Sequence, residues 1–366
     1  MKILHVITNY AGAGGAEKML SRLVESTPQC EHAIIALMGF SELYSHTLEQ
    51  TIQHEELNWN LINTLSVVWK LKKLIDEIKP DVIQGWMYHG NVFASVASRL
   101  SVSEPPVVWG MRHSLDAPKE ESVSTKVALH VSKWLSGHPA IVVYCAQSAL
   151  KKHIQFGFVS RKDVVIPNGV LLNHSLGVRS FDRSQVVVGF AGRYHTAKGF
   201  QYLFEAISQV QQQNRDVCFR LAGNGVELDN PAIAALMSQH HIDPTRIELL
   251  GQVSDMPTFY HSIDLLMLTS ITEGFPNVLV EAMAAGVPCV TTDVGDARPI
   301  VDQTGFVVPA RDAGAISREI LSYIGLTPAQ KEDLSSLALE RIKSHYQLHA
   351  VANMYIDIWE QAGRCV

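Results

Sequence analysis

The chain has little that would tie it to an oxidising compartment, a membrane interior or a polyanion. Its five cysteines (Cys30, Cys145, Cys218, Cys289 and Cys365) are scattered without C-x-x-C spacing, which argues against a disulfide framework or a zinc site. Cys145 and Cys289 fall in apolar, strand-like runs, so buried reduced thiols are expected. The odd count fits a reducing compartment. No Asp-x-Asp occurs and no His/Cys/carboxylate cluster has ligand spacing, so no metal site is expected. No apolar run approaches the roughly 20 residues of a membrane span. Met1–Ile7 reads as a first strand, because its apolar run is too short for a signal peptide and Gly-rich sequence follows. Net charge is −6, with 16 basic against 15 acidic residues up to position 170 and 14 against 21 beyond it. That balance carries no nucleic-acid footprint. The less acidic first half could face an anionic surface. There is no sequence repeat, low-complexity segment or disordered tail, and no carboxylate pair arranged for hydrolysis.

What the chain does have is a regular alternation of short apolar runs and helical patterns. At 366 residues it predicts two domains, each a parallel sheet with crossover helices. Candidate strands are 2–7, 33–38, 82–86, 107–111 and 141–145 in the first half, and 186–191, 218–222, 247–250, 265–269 and 289–292 in the second. The turn Pro167-Asn168-Gly169 precedes an irregular stretch, 171–184. The expected division is therefore 1–168 and 169–345, with a terminal segment 346–366 that holds a helix over about 348–361. Two doubly wound domains would bind a ligand at the carboxyl ends of their strands, in the cleft between them.

The densest chemistry is Glu273-Gly274-Phe275-Pro276-Asn277-Val278-Leu279-Val280-Glu281. Glu273 sits in a Gly/Pro loop after a strand, and Glu281 about one turn into a helix opening near Asn277. A loop feeding a helix N-terminus offers backbone N–H groups and partial positive charge to an anion. Two carboxylates beside it can accept hydrogen bonds from hydroxyls. Phosphate plus hydroxyls describes a nucleotide-sugar, although a capped helix with two solvated glutamates has the same spacing.

Gly12-Ala13-Gly14-Gly15-Ala16-Glu17 follows the first strand and opens a helix. Glycine lets backbone approach phosphate, but a plain tight turn fits equally. A dinucleotide fingerprint would need a third glycine where Glu17 stands. Arg193 and Lys198 flank a loop ahead of a helix starting near Phe200, and each could grip phosphate or be a solvated loop charge.

In this order, with Ile166-Pro167-Asn168-Gly169, Gly192-Arg193, Lys198-Gly199 and Thr292-Asp293-Val294-Gly295-Asp296, these pieces resemble retaining glycosyltransferases of family four, of the type that assembles bacterial surface polysaccharide such as lipopolysaccharide and capsule. The resemblance spans nearly the whole chain. It implies the α/β GT-B fold: two doubly wound Rossmann-like domains facing a central cleft, with a C-terminal helix crossing back to the first. It assigns Arg193 and Lys198 to the diphosphate, Glu281 to the ribose hydroxyls and Glu273 to the region of the sugar ring. Phe275, Pro276 and Asn277 would line the sugar, and the N–H groups of Val278 and Leu279 would reach phosphate. The family often has Gly where Asn277 stands. Gly14 and Gly15 would lie near donor phosphate and acceptor. His113 matches a position near the donor sugar, Arg112 is a candidate for acceptor or phosphate, and Asn168 lies in the inter-domain turn. Asn224 and Val253 complete the donor contacts, the base being read by backbone near Gly251-Gln252-Val253. Leu171 stands where the family often has Asp.

The implied activity is metal-independent, cofactor-free transfer of a hexose from a UDP- or GDP-linked donor to a hydroxyl of a cell-surface glycan or lipid-linked saccharide. The alternatives are a GT-B 2-epimerase and a catalytically silent nucleotide-sugar-binding protein; fold alone does not separate them. A cytoplasmic location is expected. Helical segments 61–79 and 122–137 carry Trp69, Trp134 and several lysines, so they could touch the cytoplasmic face of the inner membrane. Core-packing helices with solvated lysines explain them more simply.

Overall fold

A computed structural model describes residues 1–12, 14–115, 122–172, 181 and 185–364. Most of the expected irregular stretch 171–184, Ala13 and Cys365 lie outside the described residues. The chain forms two compact units, Met1–Gly169 with Leu348–Val366, and Val170–Gln347.

Unit 1 runs β1 (Lys2–Ile7), α1 (Gly15–Ser26), β2 (Glu31–Ala36), α2 (Ser45–Glu49), β3 (Gln53–Glu56), α3 (Thr64–Ile78), β4 (Val82–Trp86), α4 (Met87–Leu100), β5 (Val107–Met111), α5 (Val123–Leu135), β6 (Ile141–Tyr144), α6 (Gln147–Phe156) and β7 (Asp163–Val165). Its strands form one parallel sheet in the order β3-β2-β1-β4-β5-β6-β7. Strand order reverses between β1 and β4, the switch point at which such sheets bind ligands. Central strands β4 and β5 are buried throughout, as a sheet covered on both faces requires.

Unit 2 runs β8 (Val186–Ala191), α7 (Phe200–Gln213), β9 (Val217–Ala222), α8 (Pro231–Gln239), β10 (Ile247–Gly251), α9 (Met256–His261), β11 (Leu265–Leu268), α10 (Asn277–Ala284), β12 (Cys289–Thr292), α11 (Ala297–Val301), β13 (Phe306–Val308), α12 (Ala313–Ile324) and α13 (Pro328–His345). Its parallel sheet has the order β10-β9-β8-β11-β12-β13, with the switch point between β8 and β11. Helix α13 opens with a full capping box, Thr327 with Gln330, and Pro at its first position, a sharp start signal.

The last helix, α14 (Leu348–Gly363), belongs to unit 1. It buries Leu348, Val351, Ala352, Tyr355, Ile358, Trp359 and Ala362, and Trp359 Nε1 donates to Gln84 Oε1 on β4 at 3.0 Å. The helix therefore completes one face of the first core.

Strands β3, β7 and β13 were not expected from the sequence. All three are sheet edges. β3 reads Gln-His-Glu-Glu, and the other two are only three residues long, too short to stand out as strands. Short, polar edges are how sheets discourage further pairing. Helix α3 buries Val67, Leu71, Leu74, Ile75 and Ile78 and α5 buries Ala128, Leu129, Ser132 and Leu135, so both pack on the core. Trp69 and Trp134 are not part of that packing: they are 60% and 79% exposed.

Candidate active site

In unit 2 the loops after β8 and β11 converge at the switch point. Lys198 Nζ lies 2.5 Å from Glu273 Oε1, both side chains mostly buried. Ser270 Oγ donates to the same Oε1 at 2.7 Å, and Glu273 Oε2 has no hydrogen-bond partner among the described residues. The backbone holds this pair in place. Thr269 Oγ1 donates to the Lys198 carbonyl at 2.9 Å. Gly199 has φ +65°, and a Cβ there would stand 2.2 Å from the Thr269 carbonyl oxygen, so only glycine fits.

The motif 292–296 braces the Glu273 loop from the other side. Thr292 Oγ1 donates to the Ser270 carbonyl at 2.7 Å and Asp296 N to the Gly274 carbonyl at 3.0 Å. Gly295, at φ +57°, packs its Cα against the carbonyls of Glu273 and Gly274.

Helix α10 begins at Asn277 after Pro276, with no side-chain cap. Its first N–H groups thus lack the usual side-chain acceptor. The Leu279 N–H turns back to the Pro276 carbonyl at 3.1 Å, while the Val278 N–H has no acceptor among the described residues. Phe275 is buried, its ring 6.0 Å from that of Tyr346. Glu281 sits on the fifth residue of α10, where Tyr260 on α9 donates to its Oε2 at 3.1 Å.

Arg193, Asn224 and Val253 follow β8, β9 and β10 at the same edge of the sheet. Those ends are tied together: Tyr194 N donates to the Asn224 carbonyl at 2.8 Å and Gly223 N to the Gly251 carbonyl at 2.7 Å. Gly223, at φ +153°, admits no Cβ beside the Gly192 carbonyl. Arg193 is exposed and makes no hydrogen bond or ion pair among the described residues. It shares the edge with Lys198 and Glu273 but does not touch them.

In unit 1 a second group gathers at the carboxyl ends of β4, β5 and β7. Arg112 packs beside two rings, Trp86 (5.3 Å to the ring centre) and Tyr355 of α14 (5.6 Å), which stack on each other at 6.4 Å. It donates through Nη1 to Asn168 Oδ1 at 2.5 Å and through Nη2 to the Tyr355 hydroxyl. Its Nε is buried without a partner, and no carboxylate pairs with it among the described residues. A guanidinium held by neutral groups keeps its charge for an anion. His113 Nδ1 accepts from Leu115 N at 3.0 Å, which leaves the ring proton on Nε2. Tyr88 flanks His113 at 5.9 Å between ring centres and bonds His153 at 2.9 Å. Burial drives the His153 pKa down to about 4.

Gly14 caps α1 and Gly15 is its first residue. The Glu17 carboxylate folds over this loop: a Cβ on Gly14 would meet its Oε2 at 2.5 Å. Burial raises the Glu17 pKa.

Sequence reasoning did not single out Ser270, Tyr260, Trp86, Tyr88 or Tyr355. Ser270 stands three residues before Glu273 at a strand end and was within reach. Tyr355 meets Arg112 from 243 positions away, for which no local signal exists. Among the described residues, no three His, Cys, Asp or Glu side chains group as metal ligands, and no helix is long and apolar enough to cross a membrane.

Two family descriptions match the chain, Glycosyltransferase Family 4 over residues 13–174 and Glycosyl transferases group 1 over residues 185–325. A phosphatidyl-myo-inositol mannosyltransferase of Mycobacterium leprae is 28% identical over 270 residues, covering 71% of this chain and 68% of its own length. A UDP-Gal:alpha-D-GlcNAc-diphosphoundecaprenol alpha-1,3-galactosyltransferase of Escherichia coli is 25% identical over 277 residues, covering 70% of this chain and 69% of its own. Anabaena Alr3699/HepE, solved in complex with UDP, superposes with a TM-score of 0.82 at 22% identity, over 98% of this chain and 100% of that one. That likeness speaks to fold, which is GT-B: two Rossmann-like α/β domains.

Proposed function

We infer, for a chain that belongs to the family 4 and group 1 glycosyltransferases, that it is a retaining, metal-independent enzyme moving a hexose from a UDP- or GDP-linked donor to a hydroxyl of a surface glycan or lipid-linked saccharide. The observation that carries this reading is the arrangement at the β8/β11 switch point. Lys198 and Glu273 stand together there, α10 opens without a side-chain cap, and Glu281 follows one turn on. The diphosphate would take Lys198 and Arg193 as counter-charges together with the N-terminus of α10. Glu281 would hold the ribose. Glu273 Oε2 would receive a sugar hydroxyl, near where positive charge develops at C1. Cations fixed in advance stabilise the leaving diphosphate without reorganisation, and that phosphate would take the acceptor's proton as the new bond forms on the same face.

The relatives named above transfer mannose to a phosphatidyl-inositol and galactose to a diphosphoundecaprenol-linked sugar. They support a lipid-linked acceptor and make an epimerase or a silent binder the weaker reading. Peripheral membrane contact fits the exposed stripes Leu61, Ile62, Leu65 and Trp69 on and before α3, and Val123, Val127 and Trp134 on α5. Apolar side chains beside lysines suit an anionic interface.

A panel of nucleotide-sugars screened by thermal stabilisation identifies the donor, and NMR of the product reads the anomeric configuration. Retention with undiminished turnover in excess EDTA supports the assignment. Inversion, or loss of activity restored by Mn²⁺, contradicts it.

A further inference from the structure

The amino-terminal edge of the first sheet carries a second concentration of charge. A pocket of about 620 Å³ opens where β5, β6 and β7 begin, lined among others by Arg99, His138, Arg161, Lys162 and Arg364 together with Pro105, Pro106 and Ile141. Arg112, His113 and Asn168 follow the opposite ends of β5 and β7. Five residues of β5 at about 3.3 Å each separate the two edges by roughly 13 Å or more, so one phosphate cannot occupy both.

Three of the cations here are not spent on carboxylates. Arg99, Arg161 and Lys162 have no ion-pair partner among the described residues. Each is instead steadied by a neutral acceptor. Arg99 Nη2 donates to His138 Nδ1 at 2.7 Å, Arg161 Nε to the Gly137 carbonyl at 3.0 Å and Lys162 Nζ to Gln361 Oε1 at 2.5 Å. Arg364, just past α14, pairs with Glu360 of that helix at 3.1 Å, and Glu104 is the one carboxylate among the lining residues. Because a guanidinium can only donate, His138 Nδ1 must accept, which leaves the ring proton on Nε2.

We propose that this pocket is a binding site for a phosphate group, separate from the donor site, in which Arg99, Arg161 and Lys162 grip the oxygens and His138 donates through Nε2. Guanidinium forks match phosphate oxygens two at a time. The bearer is either a soluble phosphorylated molecule or a phospholipid headgroup, which share this chemistry. Burial and the charges of Arg99 and Arg161 hold the His138 pKa below its ordinary value. A bound dianion offsets those charges, so His138 takes up a proton more readily in the complex and binding tightens as pH falls through the histidine range.

The test reads the His138 ring signals by NMR in the full chain, assigned through His138→Gln, with pH titrations in the absence and presence of millimolar inorganic pyrophosphate. The Lys198→Ala background weakens binding at the donor site. The His138 pKa should rise by about half a unit or more, through replacement of repulsion by attraction. Vesicles of phosphatidylglycerol, against phosphatidylcholine as control, form the second arm. A response to pyrophosphate assigns a soluble phosphate; a response to phosphatidylglycerol alone assigns a headgroup. The double variant Arg99→Gln/Arg161→Gln changes exposed side chains, so it should melt like wild type and lose the response. If His138 ignores both probes, or responds equally in the double variant, the site is not there.

Discussion

Lys198 Nζ and Glu273 Oε1 meet at 2.5 Å across the loops that leave two adjacent strands, β8 and β11. The pair ties the cation proposed for the leaving group to the carboxylate proposed for the sugar. A diphosphate arriving at Lys198 would compete with Glu273 for the ammonium and leave the carboxylate freer to turn to the sugar.

Lys198→Ala and Arg193→Ala should each lower kcat/KM by at least about tenfold, since a charge-assisted bond is worth roughly 1.5–3 kcal/mol. Their stabilities should differ. Arg193 is exposed and unpartnered among the described residues, so its loss should leave Tm unchanged. Lys198 neutralises a mostly buried carboxylate, so its loss should lower Tm by a few degrees. Wild-type turnover in both variants would put the diphosphate clamp elsewhere.

Gly295→Ala tests the brace behind Glu273. A non-glycine residue at φ +57° costs about 1–2 kcal/mol, and the new Cβ would stand 2.3 Å from the Gly274 carbonyl oxygen. The Glu273 loop must move, so kcat should drop at least about tenfold, as misplacement of about 1 Å does in other sites. Unchanged kcat at full donor saturation would show that the loop position does not matter.

Stability should fall on mild acidification. Trp86 Nε1 donates to His5 Nδ1, and His5 Nε2 then donates to His32 Nδ1, whose own Nε2 reaches Thr27. This chain of bonds requires both rings neutral. Burial, helped by the neighbouring ring, holds His5 well below its ordinary value, and burial brings His32 and His153 down to about 4. Below about pH 6.5 the unfolded chain binds protons that these folded rings refuse, so stability present above that pH is lost as pH falls towards 4. Each ring adds a slope of about 1.4 kcal/mol per pH unit. Urea midpoints from pH 7 to 5 should fall steeply, and His32→Gln should remove about one proton's worth of that slope. Flat midpoints would mean these rings are not held neutral.

Much of the fold was legible because central parallel strands, buried on both faces, must be continuous apolar runs. Lys2–Ile7, Val82–Trp86 and Cys289–Thr292 fall where expected. Strand β3 was invisible because an edge strand needs no apolar face, and Gln53–Glu56 has none. Glu273 and Glu281 were legible as a spacing and Lys198 as a cation after a strand end, but the contact between Lys198 and Glu273 was not, because it joins two loops 75 positions apart. The packing of Arg112 against Trp86 and Tyr355 was not legible either, because its members come from β4, the end of β5 and α14, and long-range packing leaves no local pattern.

The most direct measurement is calorimetric titration of Glu273→Gln and Glu281→Gln with free nucleoside diphosphate, beside steady-state rates with the donor. With Glu281 on the ribose as proposed, far from the bond that breaks, Glu281→Gln should weaken binding of the free diphosphate and of the donor alike. With Glu273 on the sugar as proposed, Glu273→Gln should leave diphosphate affinity nearly intact and lower kcat, the mark of an interaction stronger in the transition state. Loss of diphosphate binding in Glu273→Gln with none in Glu281→Gln would contradict the assignment of both carboxylates.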